Sequence, residues 1–117
     1  MSSEIRFTTA EVPAAETARA WCDWMARLFN GLESDLYGDT VFDGQVHTAR
    51  AGDVVLTRLE GNRHRVIRTT RMSRHADSAY LKIVAPWQGS AAVEQYGRQA
   101  FVRPGTWAIY DTTGSYE

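Results

Sequence analysis

The side chains of this chain that could do chemistry are three histidines, one cysteine, a knot of arginines and a few tryptophans. A strand-borne metal site needs two or three imidazoles and a carboxylate converging on one ion. Such sites usually draw on an H-x-H strand and a later histidine. Here the histidines are His47, His64 and His75; no two are separated by a single residue, and none follows His75. The single cysteine, Cys22, excludes an internal disulfide and fits a reducing compartment. It falls within an apolar helical stripe, which suits an inert buried thiol better than a nucleophile. No G-x-S-x-G, Walker or G-x-G-x-x-G sequence occurs. Nothing in the order of Asp, Ser and His marks a triad. Neither a metal nor a cofactor is expected, and no reaction is assigned.

The arginines point elsewhere. Net charge is −1, yet residues 41–117 hold ten basic side chains, six of them arginines between Arg58 and Arg74. Residues 1–40 carry seven acidic and three basic side chains, so the chain as a whole is not coated for nucleic acid. The arginine segment reads as strand, not as helix-turn-helix. In HRVIRTTRM, alternation puts Arg65, Ile67, Thr69 and Arg71 on one face and Val66, Arg68, Thr70 and Met72 on the other. The first set is the more polar and faces solvent, as does Arg63. Arg68 then turns inward. A buried guanidinium requires a polar or anionic partner. That partner is either a carboxylate of the fold or a ligand carboxylate held in bidentate fashion. Trp87, Trp107 and Tyr110 lie on or just beyond strands. Core packing is the commoner role for a tryptophan, but beside Arg68 these rings would suit a small aromatic acid or a related carbonyl compound. The candidate ligand-binding set is therefore Arg68, Trp87, Trp107 and Tyr110.

These residues need a scaffold. At 117 residues with 44% hydrophobic side chains, the chain is expected to form one domain with its own core. Pro13 and Glu16 suit a helix start, and Trp21, Met25, Leu28, Phe29 and Leu32 recur at helical spacing, flanked by Ala18, Cys22 and Trp24. The spacing predicts an amphipathic helix over about 13–31, ended by Gly31 and laid on a sheet. From about residue 41 to 117, six or seven short β-rich runs alternate with turn residues, which predicts a mainly β sandwich or barrel. In SAYLKIVAPW the apolar positions Ala79, Leu81, Ile83 and Ala85 share one parity, which carries on to Trp87. FVRPGTWAIYD reads as a hairpin hinged on Pro104-Gly105 with hardly any sequence after it. No run of 18 apolar residues occurs, so no membrane span is expected, and MSSEIRFTTAEVP is not a secretory leader. A cytoplasmic protein is the expectation.

Taken as a whole, EQYGRQAFVRPGTWAIYDTTGSYE resembles the N-terminal effector-binding domain of AraC-type transcription regulators. Within that group it resembles the branch that opens with a helix before a cupin-like jelly-roll barrel. The resemblance rests on Gly97-Arg98 between two strands, the Pro104-Gly105 corner, and Asp111-Thr112 followed by Tyr116-Glu117. Upstream it rests on Arg68-Thr69, Asp77, Tyr80, Gly89 and the helix with Trp21. Thr106 departs from the Pro-Gly-Asp often found at such corners. The resemblance implies a small-molecule effector and a homodimer, with DNA contacted only through a helix-turn-helix domain absent from these residues. It also implies an incomplete barrel in a truncated chain, with the hairpin's missing partners in absent sequence or another chain. The rival readings are a cupin-type enzyme, metal-dependent or an isomerase, and a module that only dimerises through its open edge. Because the histidines lack metal spacing, elemental analysis of purified protein should find no stoichiometric zinc, iron or manganese. About one metal per chain, lost on substituting His47 or His64, would put the enzyme first.

Overall fold

The computed structural model describes residues 4–29, 31–69, 81–112 and 114–117. Thr70, Arg71, Met72, Arg74, His75, Asp77, Ala79 and Tyr80 lie outside the described residues, so the expectations placed on them are not followed further. The chain divides into two compact units, Met1–Phe29 with Ser34–Arg65, and Asn30–Glu33 with Val66–Glu117. Three-residue strands β2 (Glu33–Asp35) and β5 (Arg65–Ile67) fall at the sequence positions where the chain leaves one unit for the other.

In the first unit the antiparallel strands β1 (Glu4–Thr8), β3 (Gly44–Ala51) and β4 (Val54–Gly61) form a sheet in the order β1-β3-β4. β1 was not foreseen, although Ile5 and Phe7 alternate with polar neighbours as a half-buried strand requires. β3 and β4 join through Gly52-Asp53, and Gly52 takes the left-handed φ of +62° that a two-residue hairpin loop needs. Helix α1 (Thr17–Leu28) lies on one face of the sheet. A short 3₁₀ turn at Ala14–Glu16 leads into it from Pro13, and Gly31, at φ +85°, follows its end. The helix is thus shorter at both ends than the expected 13–31, because the chain tightens at the start and Phe29 already leaves helical geometry.

The core of this unit is Trp21, Met25, Leu36, Phe42 and Val46, with Phe7, Trp24 and Leu28 packed around it. Trp21 and Phe42 stack at 4.6 Å, and the His64 ring meets both edge-on at 5.4 Å. Two glycines make room for them. Gly44 and Gly61 face each other across the β3–β4 ladder. A Cβ at Gly44 would stand 2.7 Å from the Trp21 ring, 2.8 Å from Phe42 and 2.9 Å from the Glu60 carbonyl oxygen. At Gly61 it would meet Phe42 at 2.9 Å. Gly44 is also pinned by Thr9, whose hydroxyl donates to its carbonyl (3.2 Å) and accepts from its N–H (3.0 Å). Thr17 ties the helix start to the same place, its hydroxyl donating to Ala14 O and accepting from Phe42 N, both at 2.9 Å. Cys22 is half-buried, its thiol 3.9 Å from the Ser34 carbonyl, and burial raises its pKa. That environment suits an inert thiol.

The second unit holds β6 (Leu81–Val84), β7 (Ala91–Gln95), β8 (Arg98–Val102) and β9 (Ala108–Asp111). Its hairpin is β7–β8, closed by Tyr96 and Gly97 at φ +53° and +74°, the paired positive angles of a type I′ turn. The expected hairpin at Pro104-Gly105 does not form. β8 pairs with β7 and β9 pairs with β6, so both runs of FVRPGTWAIYD find partners within this chain. The reason is the turn. Gly105 has φ +91° behind Pro104, and Thr106 N–H donates to Arg103 O at 2.9 Å, which is a type II turn. Type II turns splay strands instead of matching their twist, so this corner hands the chain from one strand pair to another. Thr106 fits there because its hydroxyl donates to Arg103 O and accepts from Arg103 N, both at 2.8 Å.

The last residues close the unit. Tyr116 exchanges both backbone hydrogen bonds with Arg68, and Glu117 exchanges both with Glu94 of β7. The Gln95 side chain imitates a strand, donating to Asp111 O (2.6 Å) and accepting from Asp111 N (3.1 Å). Leu81 and Ile83 do share a face, as their parity requires, but that face is open: they are 74% and 61% exposed. Lys82 and Val84 turn inward instead, opposite Tyr110 and Ala108. The architecture is mainly β with one α-helix, and no sheet of the described residues closes into a barrel.

The glycine pair yields a stability test. Gly44→Ala forces a methyl into two rings and a backbone oxygen, an overpacking that costs about 1–3 kcal/mol. Gly61→Ala meets mainly the Phe42 ring, which can shift, and should cost less. Urea unfolding should rank wild type above Gly61→Ala above Gly44→Ala. A Gly44→Ala protein as stable as wild type would show that the rings do not rest on this pair.

Candidate functional site

Sequence reasoning turned Arg68 inward, and the structure has it there. Arg68 is 3% exposed, whereas the Arg65 side chain is 40% exposed and sits 3.8 Å from Asp35. Arg63 is on the surface, its guanidinium over the Tyr37 ring at 4.5 Å. Arg68 is fixed at both levels. Its backbone is bridged to Tyr116, and its Nε donates to the Thr112 carbonyl at 2.9 Å.

Around Arg68 the second unit gathers Tyr110, Tyr116, Thr112 and Lys82. Tyr110 and Tyr116 are buried with their rings 4.6 Å apart. The Lys82 ammonium lies 5.9 Å from the Tyr110 ring centre and 5.7 Å from that of Tyr116. β6 and β9 place Lys82 opposite Tyr110 by register, and the C-terminal pairing brings Tyr116 to them. Of the four expected ligand residues, Arg68 and Tyr110 come together. Trp87 and Trp107 stand apart from this buried group, at 82% and 61% exposure. Lys82 and Tyr116 were missed. The signal for Lys82 was available: it is the one lysine of the chain, and it interrupts the apolar run LKIV.

The electrostatics of the cluster follow from burial. Desolvation pulls the Lys82 pKa down to about 8, and the Arg68 charge adds to the fall. The facing rings favour a cation, but loss of water outweighs them. The Tyr110 and Tyr116 phenols move the other way: burial raises both, and they stay protonated throughout the physiological range. The arrangement is one guanidinium, one amine poised between its two states, and two neutral phenols. It can meet an anionic or polarised oxygen with donors, and it can offer an uncharged amine. Among the described residues no group of three or more His, Cys, Asp or Glu side chains is placed to hold a metal. No helix is long and apolar enough to cross a membrane, again among the described residues.

The lysine shift is a stability statement. Between pH 8 and pH 10.5 the unfolded chain holds a proton that native Lys82 has lost, so stability should rise with pH across that window. The full effect is on the order of 3 kcal/mol at ~1.4 kcal/mol per pKa unit. The tyrosines act oppositely above pH 10, where the unfolded chain loses protons that the native phenols keep. Urea unfolding from pH 7 to pH 11 should therefore show this cluster's contribution peaking near pH 10. Lys82→Met should remove the rising limb; an unchanged limb in that variant would assign it to other groups.

Comparisons with known proteins agree with this architecture. The model of the AraC-binding-like domain family matches residues 21–117. An uncharacterised protein from the nit 5′ region of Bacillus sp. (strain OxB-1) is 25% identical over 108 residues, covering 92% of this chain and 42% of that protein. The crystal structure of the AraC-like transcriptional activator CuxR superposes with a TM-score of 0.81 at 20% identity, over 97% of this chain and 42% of the activator. This chain thus spans about two fifths of the length of either protein. With the family match running from the Trp21 helix to the last residue, the chain belongs to the AraC-binding-like domain family and is a regulatory, effector-binding domain of that type.

Proposed function

We propose that the chain, acting as one domain over 1–117, senses a small aromatic acid or related carbonyl compound for an AraC-type regulator. In this reading Arg68 grips the effector's polar end beside Tyr110 and Tyr116, whose rings supply the aromatic contact in place of the exposed Trp87 and Trp107. The observation that carries it is the inward, 3%-exposed Arg68 set beside Lys82 and two buried tyrosines. A guanidinium held in place by the Thr112 carbonyl is suited to bidentate recognition of a carboxylate. The domain senses its ligand and does not convert it. The regulator is cytoplasmic and homodimeric, and DNA is contacted through sequence outside this chain. Switching then requires the effector to favour one arrangement of the protein over another.

The test is thermal. A ligand bound only by the folded state stabilises it, by about 2.7 kcal/mol at a hundredfold excess over Kd. Benzoate and its ring-substituted relatives should raise the melting temperature by several degrees in a saturable way. Arg68→Ala should abolish that response, and Arg65→Ala should leave it nearly intact. Circular dichroism establishes that each variant is folded, and Arg68→Lys serves if the alanine variant is not. Equal responses from wild type and a folded Arg68 variant would remove Arg68 from the site. Light scattering on the same samples should give a dimer's mass, and a monomer at every concentration would end the homodimer reading.

A further inference from the structure

Thirteen side chains of this protein are basic and only one of them is lysine. Elsewhere the chain places its positive charge on arginine, which stays protonated at any working pH. The single amine side chain is placed on β6, turned inward, opposite Tyr110 and near Arg68 and Tyr116. The residue is half-buried and not sealed, on a strand whose neighbours Leu81 and Ile83 are open to solvent. Desolvation of an amine, or a second cation beside it, is how proteins prepare a lysine for attack on a carbonyl.

We propose that Lys82 captures the carbonyl carbon of a small aromatic aldehyde or ketone as a reversible imine. This rests on the effector-sensing reading above and names the chemical class of the effector. Nζ forms a bond to the carbonyl carbon while the carbonyl oxygen takes up a proton, giving a carbinolamine. The carbon–oxygen bond then breaks, the oxygen leaves as water, and the nitrogen gives up its remaining extra proton. No oxidant or reductant is consumed, and water reverses the capture. The surrounding groups suit each stage. Arg68 opposes protonation of the amine and favours a carboxylate on the ring of the incoming compound. Tyr110 and Tyr116 keep their phenolic protons and can donate to the departing oxygen, and their rings offer a surface for an aromatic ligand. At pH 7.5 an amine with a pKa of about 8 is neutral in roughly a quarter of molecules, against about a thousandth at 10.5.

The experiment uses 4-carboxybenzaldehyde with sodium cyanoborohydride at pH 7.5, read by intact mass and peptide mapping. One adduct per chain should appear on the peptide carrying Lys82, roughly two hundredfold faster than in the urea-unfolded chain, as the neutral fractions require. Lys82→Arg should lose that adduct and keep only slow labelling of the N-terminal amine. Labelling confined to the N-terminus, or equal rates in folded and unfolded protein, would overturn the proposal. Benzoate, which has the ring and carboxylate but cannot form an imine, separates this failure from the other. A melting shift with benzoate and no Lys82 adduct would reject the imine and leave the effector reading standing. No shift and no adduct would reject both.

Discussion

An indole ring lying across a β-ladder needs two neighbouring positions without side chains, and the first unit of this protein is arranged around that need. Gly44 and Gly61 supply them as direct cross-strand partners, and Trp21 and Phe42 fill the space their missing Cβ atoms leave. From this contact the other restraints radiate. Thr9 holds the Gly44 backbone, Thr17 holds Phe42, and the Phe7–Trp24 stack at 5.0 Å fixes the helix against β1. The choice has a cost, because the Trp21 Nε1 is buried without a hydrogen-bond partner among the described residues. An orphaned buried donor forfeits about 1–3 kcal/mol, which the ring contacts must exceed. Full burial of the largest side chain in the unit shows that they do.

The second unit answers a different demand, that of charge out of water. Its interior holds a guanidinium and an amine, and the guanidinium's charge adds to the desolvation that weakens the amine's hold on its proton. Desolvation makes Lys82 the adjustable charge of the cluster. The phenols nearby are pressed toward neutrality by the same burial. Ionisable groups shifted together by burial are typical of places where ligands are recognised. It also gives the family resemblance chemical content, since membership by itself names no ligand.

How much of this could be read beforehand depends on the range of each signal. Helix α1 and its buried Trp21 and Met25 were legible because a 3.6-residue period repeats over several turns. Arg68 was legible because the alternate set with Arg65 and Thr69 is the more polar one, which leaves Arg68 on the other side of the strand. The mainly β character and the glycine turns also showed. The Pro104-Gly105 corner did not, since a proline-glycine pair specifies a turn but not which strands flank it. Gly97 carried the true hairpin, and its positive-φ partner is Tyr96, a residue that advertises no such turn. Parity grouped Leu81 with Ile83 correctly, but which side is covered depends on neighbours far away in sequence. Lys82 and Tyr116 meet only through a C-terminal backbone pairing, which no local pattern reports.

The position of the glycine pair also sets an order of events. Gly44 and Gly61 are the pair of the β3–β4 ladder farthest from the Gly52 turn. A hairpin zips outward from its turn on a timescale of about 1–10 μs. The floor for Trp21 therefore exists only once the whole ladder has closed, and the helix cannot seat before that. Helix docking is then expected to be the late step in this unit, with burial of Trp21 marking the end of assembly instead of its beginning.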